Sequence, residues 1–301
     1  MKRWQKVLIA LAVVLGAAVY WLFYDNRPGA DTARLDLGEL RAAAAAIPGE
    51  LPESIAVERV AAGDLPATFL VAGGGFGTTR QGVHAFRIGW PDRHIVLDTG
   101  MDREAAKALS VYTLDDTAQQ RVWVALRGAD AILVTHEHLD HIGGLLTAPD
   151  WAAVAPKAQI TRGQFNHPEL TQPVQWPRGS RDGFRPVDYR GMRSVAPGVV
   201  AIEAASHTPG SQLLFVRLKD GREYLFPGDI SSMDRNWREV RARSRLVGEV
   251  LIDEDRAAVF RWLKAFNALA AADPKLIVVP THDAGAIDRL VNEGALTKGF
   301  P

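Results

Sequence analysis

Seven side chains in four short segments carry the groups that a divalent cation takes as ligands. The densest segment is Thr135-His136-Glu137-His138-Leu139-Asp140-His141. The others are Ser206-His207-Thr208-Pro209-Gly210, Pro227-Gly228-Asp229 and Thr281-His282-Asp283. Imidazole nitrogen and carboxylate oxygen are the donors that a borderline ion such as zinc accepts. Three histidines and one aspartate within six consecutive residues are too many to satisfy as ordinary polar groups at one spot. A metal is the simplest explanation. Leu97-Asp98-Thr99-Gly100 adds an acidic residue upstream. The same Asp-Thr-Gly triplet marks aspartic proteases, but those need two carboxylates sharing a proton, and the chain has one such triplet.

The flanking residues indicate how these groups are positioned. His136 and His138 are one residue apart, so an extended or tightly turned backbone points both to one side. Asp140 and His141 follow where the chain turns, placed to face a second ion close to the first. Residues 131–134, Ala-Ile-Leu-Val, read as a short buried strand. Residues 142–146, Ile-Gly-Gly-Leu-Leu, read as a helix start whose glycines allow close backbone approach. Strands are expected over 199–202, 224–226 and 276–279, just ahead of His207, Asp229 and His282. The repeated strand-then-ligand pattern indicates an α/β protein with its site on loops at the carboxyl ends of strands.

In this order the motifs resemble the metallo-β-lactamase-fold hydrolase superfamily, over residues 71–282. The resemblance implies an αββα four-layer sandwich, two mixed sheets face to face with helices outside. It implies His136, His138 and His207 on one metal, Asp140, His141 and His282 on a second, and Asp229 bridging them. Asp98 matches the upstream acidic motif that supports the ligand loop from behind. Two zinc ions are expected, iron or manganese being compatible with the same ligands. The implied chemistry is hydrolysis by a water of lowered pKa, with Asp229 fixing the ions and Asp140 orienting the nucleophile and relaying its proton. With no cysteine in the chain, β-lactamases that place Cys where Asp229 stands are excluded. The His207-Thr208-Pro209-Gly210-Ser211-Gln212 stretch resembles the lactonase and aryl-ester branches. Ser232 is a departure, since quorum-quenching lactonases carry a tyrosine three residues after the bridging aspartate. The leading expectation is an ester- or lactone-like small-molecule substrate. Phosphodiester, organophosphate or β-lactam hydrolysis is the alternative within the fold, and a catalytically silent metal-binding protein at the membrane the alternative outside it.

The chain has 301 residues, enough for one large α/β domain and a short appendage. Lys plus Arg and Asp plus Glu number 35 each, so no long-range field favours nucleic acid. Lys2, Arg3 and Lys6 precede an uncharged run over residues 7–23 that is flanked by Trp4 at one end and Tyr20, Trp21 and Tyr24 at the other. That run is long enough to span a bilayer, with aromatic residues at both interfaces and its basic end on the cytoplasmic side. The expectation is an uncleaved, single-pass inner-membrane anchor over 1–25 with the catalytic domain facing the periplasm; a cleaved signal is the competing reading. Residues 26–66 read as linker and lead-in helix, with a weak alternation over 51–64 that suits a first strand, and 67–301 as the hydrolase domain. Within the latter, residues 162–197 read as a long loop whose Phe165, Trp176, Phe184 and Tyr189 are candidates to line a pocket. The arginine-rich stretch 234–245 reads by default as a solvated face.

Overall fold

A computed structural model describes all 301 residues. The chain opens with α1 (Arg3–Phe23), then α2 (Leu37–Ala44) and the long strand β1 (Ser54–Pro66). A short α3 (Ala67–Leu70) and a glycine-rich turn lead into β2 (Thr78–Gly89), which folds back on β3 (His94–Leu97). Next come α4 (Arg103–Leu109), β4 (Tyr112–Leu114), α5 (Asp116–Gly128), β5 (Ala131–Leu133), α6 (Leu139–Leu146), α7 (Trp151–Val154) and α8 (Arg162–Asn166). A meander of β6 (Met192–Ala196), β7 (Val199–Glu203), β8 (Gln212–Arg217) and β9 (Glu223–Phe226) follows. The chain closes with α9 (Asp234–Glu239), α10 (Arg256–Ala272), β10 (Ile277–Val278), α11 (Ala284–Asn292) and β11 (Thr297–Lys298).

The strands form two mixed sheets. One runs β11-β1-β2-β3-β5, with β4 also paired to β1; the other runs β10-β9-β8-β7-β6. Strand side chains alternate between two faces, and both faces of each sheet are covered. Phe86 and Ile88 of β2 meet Leu214, Val216 and Phe226 between the sheets, with the Phe86 and Phe226 rings edge-on at 4.9 Å. Val83 and Ala85 point the other way, under α4, α5 and α6. On the second sheet, Leu213, Phe215 and Leu225 face α2 and α10. Three apolar layers between four structural layers make the αββα sandwich. Each fully buried Phe or Leu contributes about 1.5–3 kcal/mol, so the sheets hold the site-bearing loops on a rigid base.

The lead-in belongs to this body. β1 pairs with β2 from Ser54 to Pro66, and Leu40 and Ala44 of α2 are buried against the second sheet. The expected boundary at residue 67 therefore cuts through a continuous sheet. The weakly alternating stretch over residues 51–64 forms most of β1, and a register shift between Arg59 and Ala61 accounts for the weakness of the alternation.

Candidate metal centre

All seven expected ligands lie just beyond the ends of core strands, on loops or in the first turn of the helix that follows. β5 ends at Leu133, and the next residues turn His136 and His138 inward before α6 begins at Leu139. Asp140 and His141 occupy the first turn of that helix. Gly144 lets α6 press against the Asp98 loop: a Cβ there would stand 1.9 Å from the Thr99 carbonyl oxygen. Asp98 itself holds a left-handed backbone, φ 57°, an energetic cost that clusters at functional sites. His207 follows β7, Asp229 follows β9 and His282 follows β10.

The donor atoms form three overlapping groups, each within 4.8 Å: His136, His138 and His207; His136, His141 and Asp229; Asp140, His141 and His282. His138 Nδ1 lies 3.1 Å from both His136 Nε2 and His207 Nε2. One ring proton cannot serve both contacts. Nitrogens held at about 2.0–2.1 Å by one tetrahedral zinc stand about 3.3 Å apart, so the spacing fits a shared cation. His141 Nε2 and His282 Nε2 lie 3.2 Å apart in the same way. Asp229 stands between the groups. Its Oδ1 is 3.0 Å from His282 Nε2 and 3.5 Å from His141 Nε2, while Oδ2 faces His207 Nε2 at 3.8 Å. The residues present therefore fit a pair of divalent ions.

Electrostatics divide the two sides. Burial, then the neighbouring imidazoles, push His136 and His138 well below the ordinary histidine range, towards the neutral form that binds metal. His207 is lowered by burial and by Arg243. Burial also opposes charge on His141, but Asp98, Asp140 and Asp229 outweigh it and raise its pKa well above the usual value. His282 is raised too, Asp229 overcoming its burial.

A second layer of buried groups aims these ligands. Asp98 Oδ2 lies 2.9 Å from His141 Nδ1, and its Oδ1 accepts from the Thr135 backbone N–H at 2.7 Å. Glu254 Oε2 lies 3.0 Å from His207 Nδ1, and the Gly82 carbonyl oxygen lies 2.8 Å from His282 Nδ1. Thr281 donates its hydroxyl to Asp229 Oδ1 at 2.8 Å. Glu137 is no ligand; it accepts from Thr208 and from the Gly210 N–H, tying the first loop to the His207 loop.

Two residues of this layer, Arg243 and Glu254, carry no signal in the sequence. Arg243 is buried and donates to Asp229 Oδ2 at 2.7 Å, to Glu254 at 3.1 Å and to Ser232. Ser232 thus meets an arginine at the position where lactonases carry a tyrosine. The arginine-rich stretch divides: Arg235 and Arg238 pair with carboxylates at the surface, whereas Arg243 turns inward. Phe165 and Phe184, partly buried, pack against buried Trp176 at the edge of the first sheet's helical layer, with Arg181 stacked over Phe165, away from the ligand groups. Tyr189 donates to Gln212 and lines a separate cleft with Arg162 and Glu203. His84 and His94 bond to the carbonyls of Thr281 and Ala125, outside the ligand groups.

Residues 78–282 match the family model of the metallo-beta-lactamase superfamily. The chain belongs to that superfamily, and it is a metal-dependent hydrolase of that fold. Solved structures agree on the fold. An N-acyl homoserine lactone hydrolase with its product N-hexanoyl-L-homoserine bound at the catalytic metal centre aligns with TM-score 0.61 and 16% identity, over 79% of this chain and 96% of that one. A single-residue mutant of AiiA from B. thuringiensis, with N-decanoyl-L-homoserine bound at its active site, gives 0.60 and 17%, over 79% and 96%. A probable metal-dependent hydrolase from Staphylococcus aureus gives 0.58 and 12%, over 78% and 91%. A comparison with curated proteins finds no match.

Proposed function

We propose that this chain is a dinuclear zinc hydrolase of ester- or lactone-like small molecules, carried on a membrane anchor. The observation that carries the dinuclear reading is Asp229, whose two oxygens face the two ligand groups from between them. In this reading His136, His138 and His207 hold one ion, and Asp140, His141 and His282 the other. When bound, such a pair supplies Lewis acidity and lowers the pKa of a coordinated water to about 7. The protein's own part is positional. Asp229 sets the spacing of the two groups, and Thr281 and Arg243 fix the plane of its carboxylate. Asp140, on the first turn of α6 and less enclosed than the histidines behind it, accepts and returns the proton of the attacking water. Asp98 and Glu254 hold His141 and His207 in the tautomers that present Nε2.

A carboxylic ester or lactone is preferred because an N-acyl homoserine lactone hydrolase of the same fold holds its product, N-hexanoyl-L-homoserine, at its catalytic metal centre. Ser232, buried against Arg243, offers no phenol to the site, which speaks against copying the acyl-homoserine substrate. The helix Arg3–Phe23 is long and apolar enough to cross a membrane. With Lys2, Arg3 and Lys6 at its start it is read as a single-pass inner-membrane anchor that places residues 26–301 in the periplasm.

The test is metal analysis of the full-length protein in detergent, followed by a panel of lactone, aryl ester, thioester, phosphodiester and β-lactam substrates. The expected result is two zinc ions per chain and turnover of lactone or aryl ester. Zinc-loaded protein that turns over none of them would favour a catalytically silent metal-binding protein.

A further inference from the structure

The apolar helix does not leave the folded body through a slack tether. The Gly73 N–H and the Thr68 hydroxyl both donate to the Phe23 carbonyl oxygen, at 2.8 and 3.1 Å. The Phe23 ring stacks on Phe69 and meets Phe76 edge-on. Asp25 is buried, and its carboxylate accepts two bonds from Arg245 at 2.7 and 2.9 Å. Asn26 donates to the Val240 carbonyl and accepts from the Ala242 N–H. Together these bonds fix the angle at which α1 emerges.

Apolar side chains gather around that exit. Beyond residue 23, seven large hydrophobic residues are exposed, and four of them, Tyr24, Phe76, Val250 and Leu251, lie on the segments that meet the helix end. Phe76 tips the glycine-rich turn and is 60% exposed; Leu251 is 65% exposed. Val250 and Leu251 sit in a π-helical turn, Leu246–Leu251, that starts beside Arg245. The Arg245 guanidinium stacks over Trp21, 5.2 Å from the ring centroid. Arg27 and Arg241 complete a basic fringe, Arg241 bonding to the Ala72 carbonyl. Aromatic rings and arginines with apolar stems are the side chains that settle at the headgroup level of a bilayer.

We infer that the turns 73–77 and 246–251 seat in the headgroup layer of the membrane that α1 spans, so that the catalytic body lies on the bilayer at a fixed tilt. The inference rests on the reading of α1 as a retained membrane helix. A bilayer is the occupant because the patch is continuous with a helix that has no buried residue. The seating also reaches the metal centre. Arg256 donates to the Asp25 carbonyl at 2.7 Å and to the Arg243 carbonyl, and Arg243 holds Asp229. Two side chains thus connect the end of the membrane helix to the carboxylate between the ligand groups.

The chain has no cysteine, so Phe76→Cys, Leu251→Cys and Val124→Cys each accept one spin label in the full-length protein. Label depth is read by power saturation in vesicles of phosphatidylethanolamine and phosphatidylglycerol, comparing samples of equal metal content. Labels at 76 and 251 are expected to be relaxed more by oxygen than by a water-soluble nickel complex, and the label at 124, exposed on α5, the reverse. Labels at 76 and 251 as aqueous as that at 124 would overturn the seating. Dipolar coupling between chains at 76 or 251 would assign the patch to a second copy and overturn it as well. Intact mass separates the two readings: loss of residues 1–25 overturns the anchor and the seating together, whereas aqueous labels in intact chains overturn the seating alone.

Discussion

The two halves of the candidate metal centre share a carboxylate but are built from different charges. His136, His138 and His207 form an all-imidazole group whose members burial drives towards neutrality. Asp140, His141 and His282 form a mixed group in which carboxylates favour charge on both imidazoles. Yet each half is oriented by the same device, a buried carboxylate behind one histidine: Glu254 behind His207, Asp98 behind His141. The device does not have the same electrical effect in both halves: Asp98 both aims His141 and favours its charge, whereas burial and Arg243 outweigh Glu254 at His207. The outer carboxylates aim the rings, and the position of Asp140 decides which half carries an anionic ligand of its own.

Substitutions probe whether the halves act independently, and the largest effect is expected at the shared residue. Asp229→Ala removes the carboxylate that faces both halves and, on the proposed reading, should bring metal content and turnover to background together; metal analysis beside hydrolysis rates checks this. His138→Ala and His282→Ala should each cost one ion and turnover, leaving the opposite half able to retain its own. Equal loss of both ions in either variant would show that the halves do not bind separately.

Next in size is Arg243→Met. Arg243 neutralises two buried carboxylates, Asp229 and Glu254, and removal of one partner of a buried ion pair typically costs about 3–5 kcal/mol. Urea denaturation of metal-free protein should show a loss of that order, reduced when metal is bound. More modest effects are expected from the orienting carboxylates. Asp98→Asn and Glu254→Gln should each weaken metal affinity by about 10–100-fold. Competition with a chelator should place the Asp98 effect in the half containing His141 and the Glu254 effect in the half containing His207.

The candidate ligand cluster is legible in the sequence because its residues are contiguous or follow strands. His136, His138, Asp140 and His141 fall within one six-residue segment running from the loop after β5 into α6, and His207, Asp229 and His282 each come shortly after a short apolar run that does form a strand. The fold class follows from the same pattern, and the sandwich from the resemblance those motifs carry. Arg243 and Glu254 are not legible. They flank the π-helical turn and carry no spacing signal, and Arg243 sits in an arginine-rich stretch where Arg235 and Arg238 are solvated. Their role exists only once the chain brings residue 254 against residue 207. β1 is legible only as a weak alternation over 51–64, because its register shift and its charged Glu58 and Arg59, held by Arg121 and Asp288, interrupt the apolar pattern. Of the aromatic residues in the 162–197 stretch, Trp176 is buried in the core while Phe165 and Phe184 pack against it; composition alone does not separate aromatic residues lining a pocket from those filling a core.

Anomalous diffraction from crystals of the zinc-loaded protein would locate the ions themselves. Two zinc peaks are expected, one among His136, His138 and His207 and one among Asp140, His141 and His282, with the Asp229 carboxylate between them. A single peak, or a second one away from Asp140, His141 and His282, would refute the dinuclear centre.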